Sequence, residues 1–383
     1  MKNTKQTFSM LLILLALALF AGCSRKSEQT QPGAGDKAAE PAKAKAAVEA
    51  VRLLPVKQDA KWGYIDAKGT LVIAPQYDEA KPFSEGLATV RVGKLWGYAD
   101  PAGKLVIQPQ YKEALDFSEG LALVVLDGKD WKSGYIDPTG KFVINPQFRY
   151  GGPFSEGLAF IVLKPRRISV ASPLVWTESG YIPGSPTERS VQPGEYSYID
   201  KSGKMLIEKP VADGREFKDG MCAVMINGKW GFLDKTGKLA LDPQFDDAFS
   251  FSEGLAAVKV GKKWGFVDQT SKMAINTQFD AAGDFSAGLA PTQTGKQWGY
   301  VDKTGAVKIT PQFTQARKFS EDLAAVKTGK QWGFISTAGE VIINAQFDEA
   351  GEFNGGLAKA RAGKKDGYID RSGAFVWPQP KQQ

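Results

Sequence analysis

The chain has 383 residues, a formal charge of +7, no histidine and 43% hydrophobic residues. Without an imidazole there is no serine–histidine or cysteine–histidine catalysis, and most zinc sites are excluded. The cationic excess is small and dispersed along the chain, so it leaves no nucleic-acid footprint.

The first 22 residues read as a signal peptide. Lys2 and Lys5 form a charged leader, and Phe8 to Phe20 form an apolar run too short for an ordinary membrane span. Leu19-Phe-Ala-Gly-Cys23 follows, with small residues before the cysteine. This stretch resembles the bacterial lipobox, with Phe20 departing from its usual leucine. The resemblance implies that Cys23 becomes a diacylated N-terminus, a membrane anchor held by its buried methylenes. Ser24 implies an outer-membrane address where the organism has such a membrane. Residues 23–50 lack aromatics and are rich in Ala, Lys, Glu, Pro and Gln, which predicts a disordered tether. The remaining cysteine, Cys222, lies in a strand pattern and is expected to be a buried, inert thiol.

From residue 51 to 383 the chain is periodic. Trp62-Gly63-Tyr64 recurs as Trp96-Gly97-Tyr98, Trp230-Gly231-Phe232, Trp264-Gly265-Phe266, Trp298-Gly299-Tyr300 and Trp332-Gly333-Phe334. Gly63 and Gly97 are 34 residues apart, and Gly231, Gly265, Gly299, Gly333 and Gly367 keep that spacing. A fixed period of this size marks a repeat architecture. Nine units align on Gly63, Gly97, Gly134, Ser197, Gly231, Gly265, Gly299, Gly333 and Gly367. The interval from Gly97 to Gly134 is 37 residues, and that from Gly134 to Ser197 is 63. The longer one contains an aperiodic insertion, residues 164–195.

Each unit contains three short β patterns. The first is typified by Leu255 to Val260, the middle one by Trp264 to Asp268, and the third by Leu239 to Leu241. Gly-Lys pairs such as Gly261-Lys262 join the first two, and Asp-x-x-Gly turns such as Asp234 to Gly237 join the last two. An antiparallel meander results. The residue after the glycine is always Tyr or Phe, and the next is always apolar. Successive strand residues face opposite ways, so the middle strand is expected to be buried on both faces. A proline such as Pro75 or Pro243 is expected to end the third strand. A polar connector follows, carrying an invariant aromatic at Phe83, Phe117, Phe154, Phe217, Phe251, Phe285, Phe319 and Phe353, which suits a plug between adjacent units.

Lys61-Trp-Gly-Tyr-Ile-Asp, Ala74-Pro-Gln-Tyr-Asp-Glu-Ala and Phe83-Ser-Glu-Gly-Leu-Ala together resemble the bacterial WG-repeat (KWG-repeat) family over about residues 52–377. The resemblance implies a β-rich repeat scaffold with no known catalytic site. Ser133, Tyr196 and Asp366 depart from the Trp column, and unit four is the most eroded. The predicted fold is all-β: nine three-stranded meander repeats in a curved solenoid-like array, with a closed propeller-like ring as the alternative.

No catalytic residues, cofactor or metal ligands are expected. Each Asp-x-x-Gly turn offers one carboxylate where a calcium site needs about six to eight oxygens. The aperiodic insertion is the candidate interaction loop, because Arg166, Arg167, Trp176 and Tyr181 are of types enriched at contact hot spots. The expected function is an envelope-anchored, non-enzymatic scaffold that binds a protein. Its membrane contact would be the N-terminal lipid, and it would have no nucleic-acid partner. The alternative is glycan or peptidoglycan binding through the repeated tryptophans.

Overall fold

Alternating apolar residues and two-residue turns fold each period into a small antiparallel sheet. The computed structural model describes residues 52–128, 132–164, 176–177, 180–181 and 195–378. These are all β or turn, within one compact unit, Glu49–Gln383. Unit six shows the pattern. Its first strand, Leu255–Val260, pairs with its middle strand, Lys263–Asp268, from Leu255↔Asp268 to Val260↔Lys263. The backbone N–H groups of Thr270 and Lys272 donate to Asp268 Oδ1 at 2.8 and 3.1 Å, which fixes the second turn. The same pattern holds the turns at Asp66, Asp100, Asp137, Asp200, Asp234, Asp302 and Asp370.

Two details differ from the sequence expectation. First, proline does not end the third strand. Leu71–Tyr77, Leu239–Phe245 and Val307–Phe313 run through Pro75, Pro243 and Pro311. The partner register jumps from Tyr64↔Ile73 to Trp62↔Tyr77, so the proline sits in a bulge where no ladder N–H is required. That bulge accounts for the glycine column. A Cβ on Gly265 would lie 2.5 Å from the Ile275 carbonyl oxygen and 2.8 Å from Thr277 N. Second, the connector is not wholly loop. Asp247–Ala248 pairs with Lys259 and Val258, and units five to nine are four-stranded sheets.

The core lies between units. Phe266 and Val267, on opposite faces of the middle strand, are both fully buried. One apolar cluster joins Leu255, Phe266 and Ile275 of unit six to Ala290 and Val301 of unit seven, with Phe285 between them. The plug expected of the Phe column is present: Phe285 packs on Phe266 with ring centroids 4.8 Å apart, and Phe83 packs on Tyr64 at the same distance. Polar links run alongside. The Ser252 hydroxyl donates to the Phe285 carbonyl, and the Gly288 N–H donates to Glu253 Oε2.

The array curves until its ends touch. Leu54, Val56 and Ile65 of unit one cluster with Leu357, and the partly buried Tyr368, Val376 and Trp377 pack against them. The Tyr368 hydroxyl donates to the Pro55 carbonyl at 3.1 Å. Tyr64 and Tyr98 use the same group to bind the next unit's connector at 2.7 Å. The tandem curved array is therefore observed, with the first-to-last contact that a ring-like closure requires.

Candidate binding site

The tryptophan column is the first place to look for a ligand, because an indole face can stack on a flat apolar surface. Most of these faces are already covered. Trp230, Trp264 and Trp332 are buried, whereas Trp62, Trp96 and Trp298 are half-buried. The residue fifteen positions earlier supplies the cover. Lys81 Nζ lies 5.1 Å from the Trp96 ring, and the Arg215 and Arg317 guanidiniums lie 5.0 and 5.1 Å from Trp230 and Trp332. The Phe249 ring lies 4.9 Å from Trp264. A second cation, five positions before the tryptophan, approaches Trp96 from Arg91, Trp264 from Lys259 and Trp332 from Lys327. Such contacts contribute about 0.5–1 kcal/mol each at exposed sites.

Trp298 lacks both covers. The positions fifteen and five residues before it are Gly283 and Gln293. Among the described residues, no ring or cation lies over this indole. The first-strand residue opposite the cover explains the glycine. Arg215, Phe249 and Arg317 each donate a backbone N–H across to a small residue, Ala223, Ala257 or Ala325. Gly283 donates instead to Pro291, whose Cγ would lie 2.9 Å from a Cβ at position 283. Gly152 likewise faces Phe160, whereas a Cβ on Gly351 would be in ordinary contact with Lys359. At Gly152 and Gly283 the first-strand side chain thus excludes the cover. Of these three glycines only Gly283 precedes a tryptophan, because the Trp column of the other two units holds Tyr196 and Asp366.

The uncovered indole opens into a groove of about 450 Å³ lined by Gln293, Trp298, Thr314, Gln315, Arg317 and Trp332. Arg317 Nε, like Arg215 Nε over the covered Trp230, is buried without a hydrogen-bond partner. Burial lowers the affinity of its guanidinium for a proton, and the Glu352 and Glu349 carboxylates partly offset that. Nearby, burial raises the carboxyl pKa values of Asp284 and Glu352 above the usual range. Asp284 Oδ1 is also buried without a partner. No cluster of three or more potential metal ligands occurs among the described residues.

Arg166 and Arg167 lie outside the described residues, as does Cys23. In the insertion, the backbone of Trp176–Thr177 pairs with that of Gly180–Tyr181. Cys222 is buried, and burial pushes its thiol up to about 12, which fits the inert role expected of it. The groove at Trp298 was not foreseen. Its signal was present in the columns, as a glycine where other units carry Lys, Arg or Phe.

These features define a tandem β-repeat protein whose units are joined by shared aromatic cores. The chain belongs to the WG containing repeat family. The family model matches residues 62–96, 96–129, 134–164, 196–230, 230–264, 264–297, 298–332 and 332–365. No curated protein matches the chain by sequence. Among solved structures, the fold is similar to a crystal structure of the eukaryotic initiation factor. That likeness has a TM-score of 0.56 and 11% identity, and covers 85% of this chain and 94% of the other. Weaker likenesses include Kluyveromyces lactis Hsv2, with a TM-score of 0.33 and 13% identity over 47% of this chain and 69% of that one. Puromycin hydrolase also has a TM-score of 0.33, with 11% identity over 76% of this chain and 53% of that one. At these identities the likeness concerns the fold alone.

Proposed function

We propose that this protein is a non-enzymatic scaffold, anchored in a bacterial envelope through Cys23, that docks a protein on its repeated surface. One observation carries the docking role. The third strand is a sheet edge in units one and three, and in unit two its first residues pair only with the middle strand; in all three it turns an aliphatic residue outward. Val72, Val106 and Val143 hold the same register in units one to three and are 48%, 45% and 47% exposed. Single exposed valines are ordinary, but the same exposed position repeated on three successive third strands is a surface suited to an apolar partner. The test replaces all three with lysine and compares capture from envelope extracts. A partner retained by the parent and lost by the triple variant, with unfolding temperature unchanged, supports the reading. Equal capture by both, or no reproducible partner, removes it. For the anchor, palmitate labelling should disappear in Cys23→Ala; retained label would refute it.

A second reading, glycan binding, has support from a specific feature. It does not draw on the Trp column as a whole, since Trp230, Trp264 and Trp332 are buried. It draws on Trp298, whose two covering positions hold glycine and glutamine.

A further inference from the structure

We propose that the groove between Trp298 and Trp332 is a binding site for a neutral oligosaccharide. The proposal rests on the glycan reading and gives it a place and a ligand class. A pyranose presents an apolar C–H face and a rim of hydroxyls. The site offers the complement of both. The Trp298 indole supplies an uncovered flat face. Gln293, Thr314 and Gln315 supply amide and hydroxyl groups around it.

Charge decides between neutral and acidic sugars. The cations found over Trp96, Trp230 and Trp332 are missing at Trp298. The remaining guanidinium, Arg317, already feels the carboxylates of Glu349 and Glu352. Those carboxylates are paired in turn with Arg361 and Lys318, and the other nearby cation, Lys327, lies over Trp332, so among the described residues no cation stands over the Trp298 face to receive a carboxylate. A neutral sugar meets only hydrogen-bonding groups and the indole.

The neighbouring units supply the control. Unit six pairs Phe249 with Ala257 and covers Trp264. Transplanting that pair as Gly283→Phe with Pro291→Ala should close the groove without a clash, because the proline that excludes a side chain at position 283 is removed with the same change.

The test titrates the full folded chain with chitotetraose and cellotetraose as neutral probes and tetragalacturonate as the acidic one, read by calorimetry. Saturable binding of at least one neutral probe is expected, with tetragalacturonate weaker. Trp298→Ala and the Gly283→Phe/Pro291→Ala double variant should each weaken binding by about tenfold or more. The double variant should keep the parent's circular dichroism and unfolding temperature, which separates closure of the groove from loss of fold. Tetragalacturonate binding as tightly as the neutral probes, or more tightly, would overturn the ligand class and leave glycan binding standing. Binding unchanged in the double variant would overturn the location. Absence of saturable binding by all three probes would overturn this proposal together with the glycan reading.

Discussion

Units six and seven are neighbours with equivalent strand registers and different surroundings for their tryptophans. Both carry the Trp-Gly pair, the third-strand bulge and the Phe plug. In unit six Phe249 lies over Trp264, opposite Ala257. In unit seven Gly283 leaves Trp298 open, opposite Pro291. The difference separates two roles within one motif. The glycine and the aromatic after it are required by the fold in both units. The face of the tryptophan depends on two other positions, eight residues apart in sequence, which can vary without disturbing the sheet.

What the two units share can be broken equally in both. Phe285→Ala and Phe319→Ala each remove a plug that is 1% exposed, and each should cost about 3–5 kcal/mol in chemical denaturation. If one were tolerated and the other not, the units would not be equivalent scaffolds. Gly265→Ala should cost about 1–3 kcal/mol, because its Cβ meets the backbone of the bulge rather than a side chain that can move aside. Gly299→Ala should cost a similar amount. Ser197→Gly should not mirror these changes. Unit four carries a side chain in this column, its hydroxyl donates to the Ile207 carbonyl, and its third strand is reduced to isolated bridges.

The sequence made the fold legible to the extent that it repeats. A column that is aromatic in every unit followed by one that is apolar in every unit can only be a strand buried on both faces, and Phe266 and Val267 are so placed. The invariant Phe column likewise declared its packing role. The connector strand was hidden because two residues such as Asp247–Ala248 are too short to show a period. Proline misled for a physical reason. Its missing N–H stops a regular ladder but suits a bulge, and the glycine opposite was the trace of that bulge. The contact between units nine and one depends on accumulated curvature, which no single unit encodes. The groove is not legible in any single unit because it is made by absences, Gly283 and Gln293, which show only against the same columns of the other units.

Smaller effects sharpen the comparison. Phe249→Ala should uncover Trp264 and make unit six resemble unit seven. The aromatic contact is worth about 0.5–1.5 kcal/mol, so the fold should survive while Trp264 emission shifts to the red and becomes accessible to acrylamide. The smallest effect concerns Asp284, beside Gly283. Burial raises its carboxyl pKa. A carboxyl raised in the folded state favours folding while protonated, and that contribution is lost as pH climbs from the unfolded value toward the raised one. Asp284→Asn should therefore raise the unfolding temperature near pH 7, and this gain should shrink near pH 4. A gain of equal size at both pH values would show that its charge is not the cause.

The central claim is that the fold covers Trp264 and leaves Trp298 open. Native oxidation with N-bromosuccinimide, read peptide by peptide in a mass spectrometer, tests it most directly. The account predicts that Trp298 is oxidised well before Trp264, and that the Gly283→Phe/Pro291→Ala variant brings the two rates together. Equal rates for Trp298 and Trp264 in the unaltered protein would contradict it.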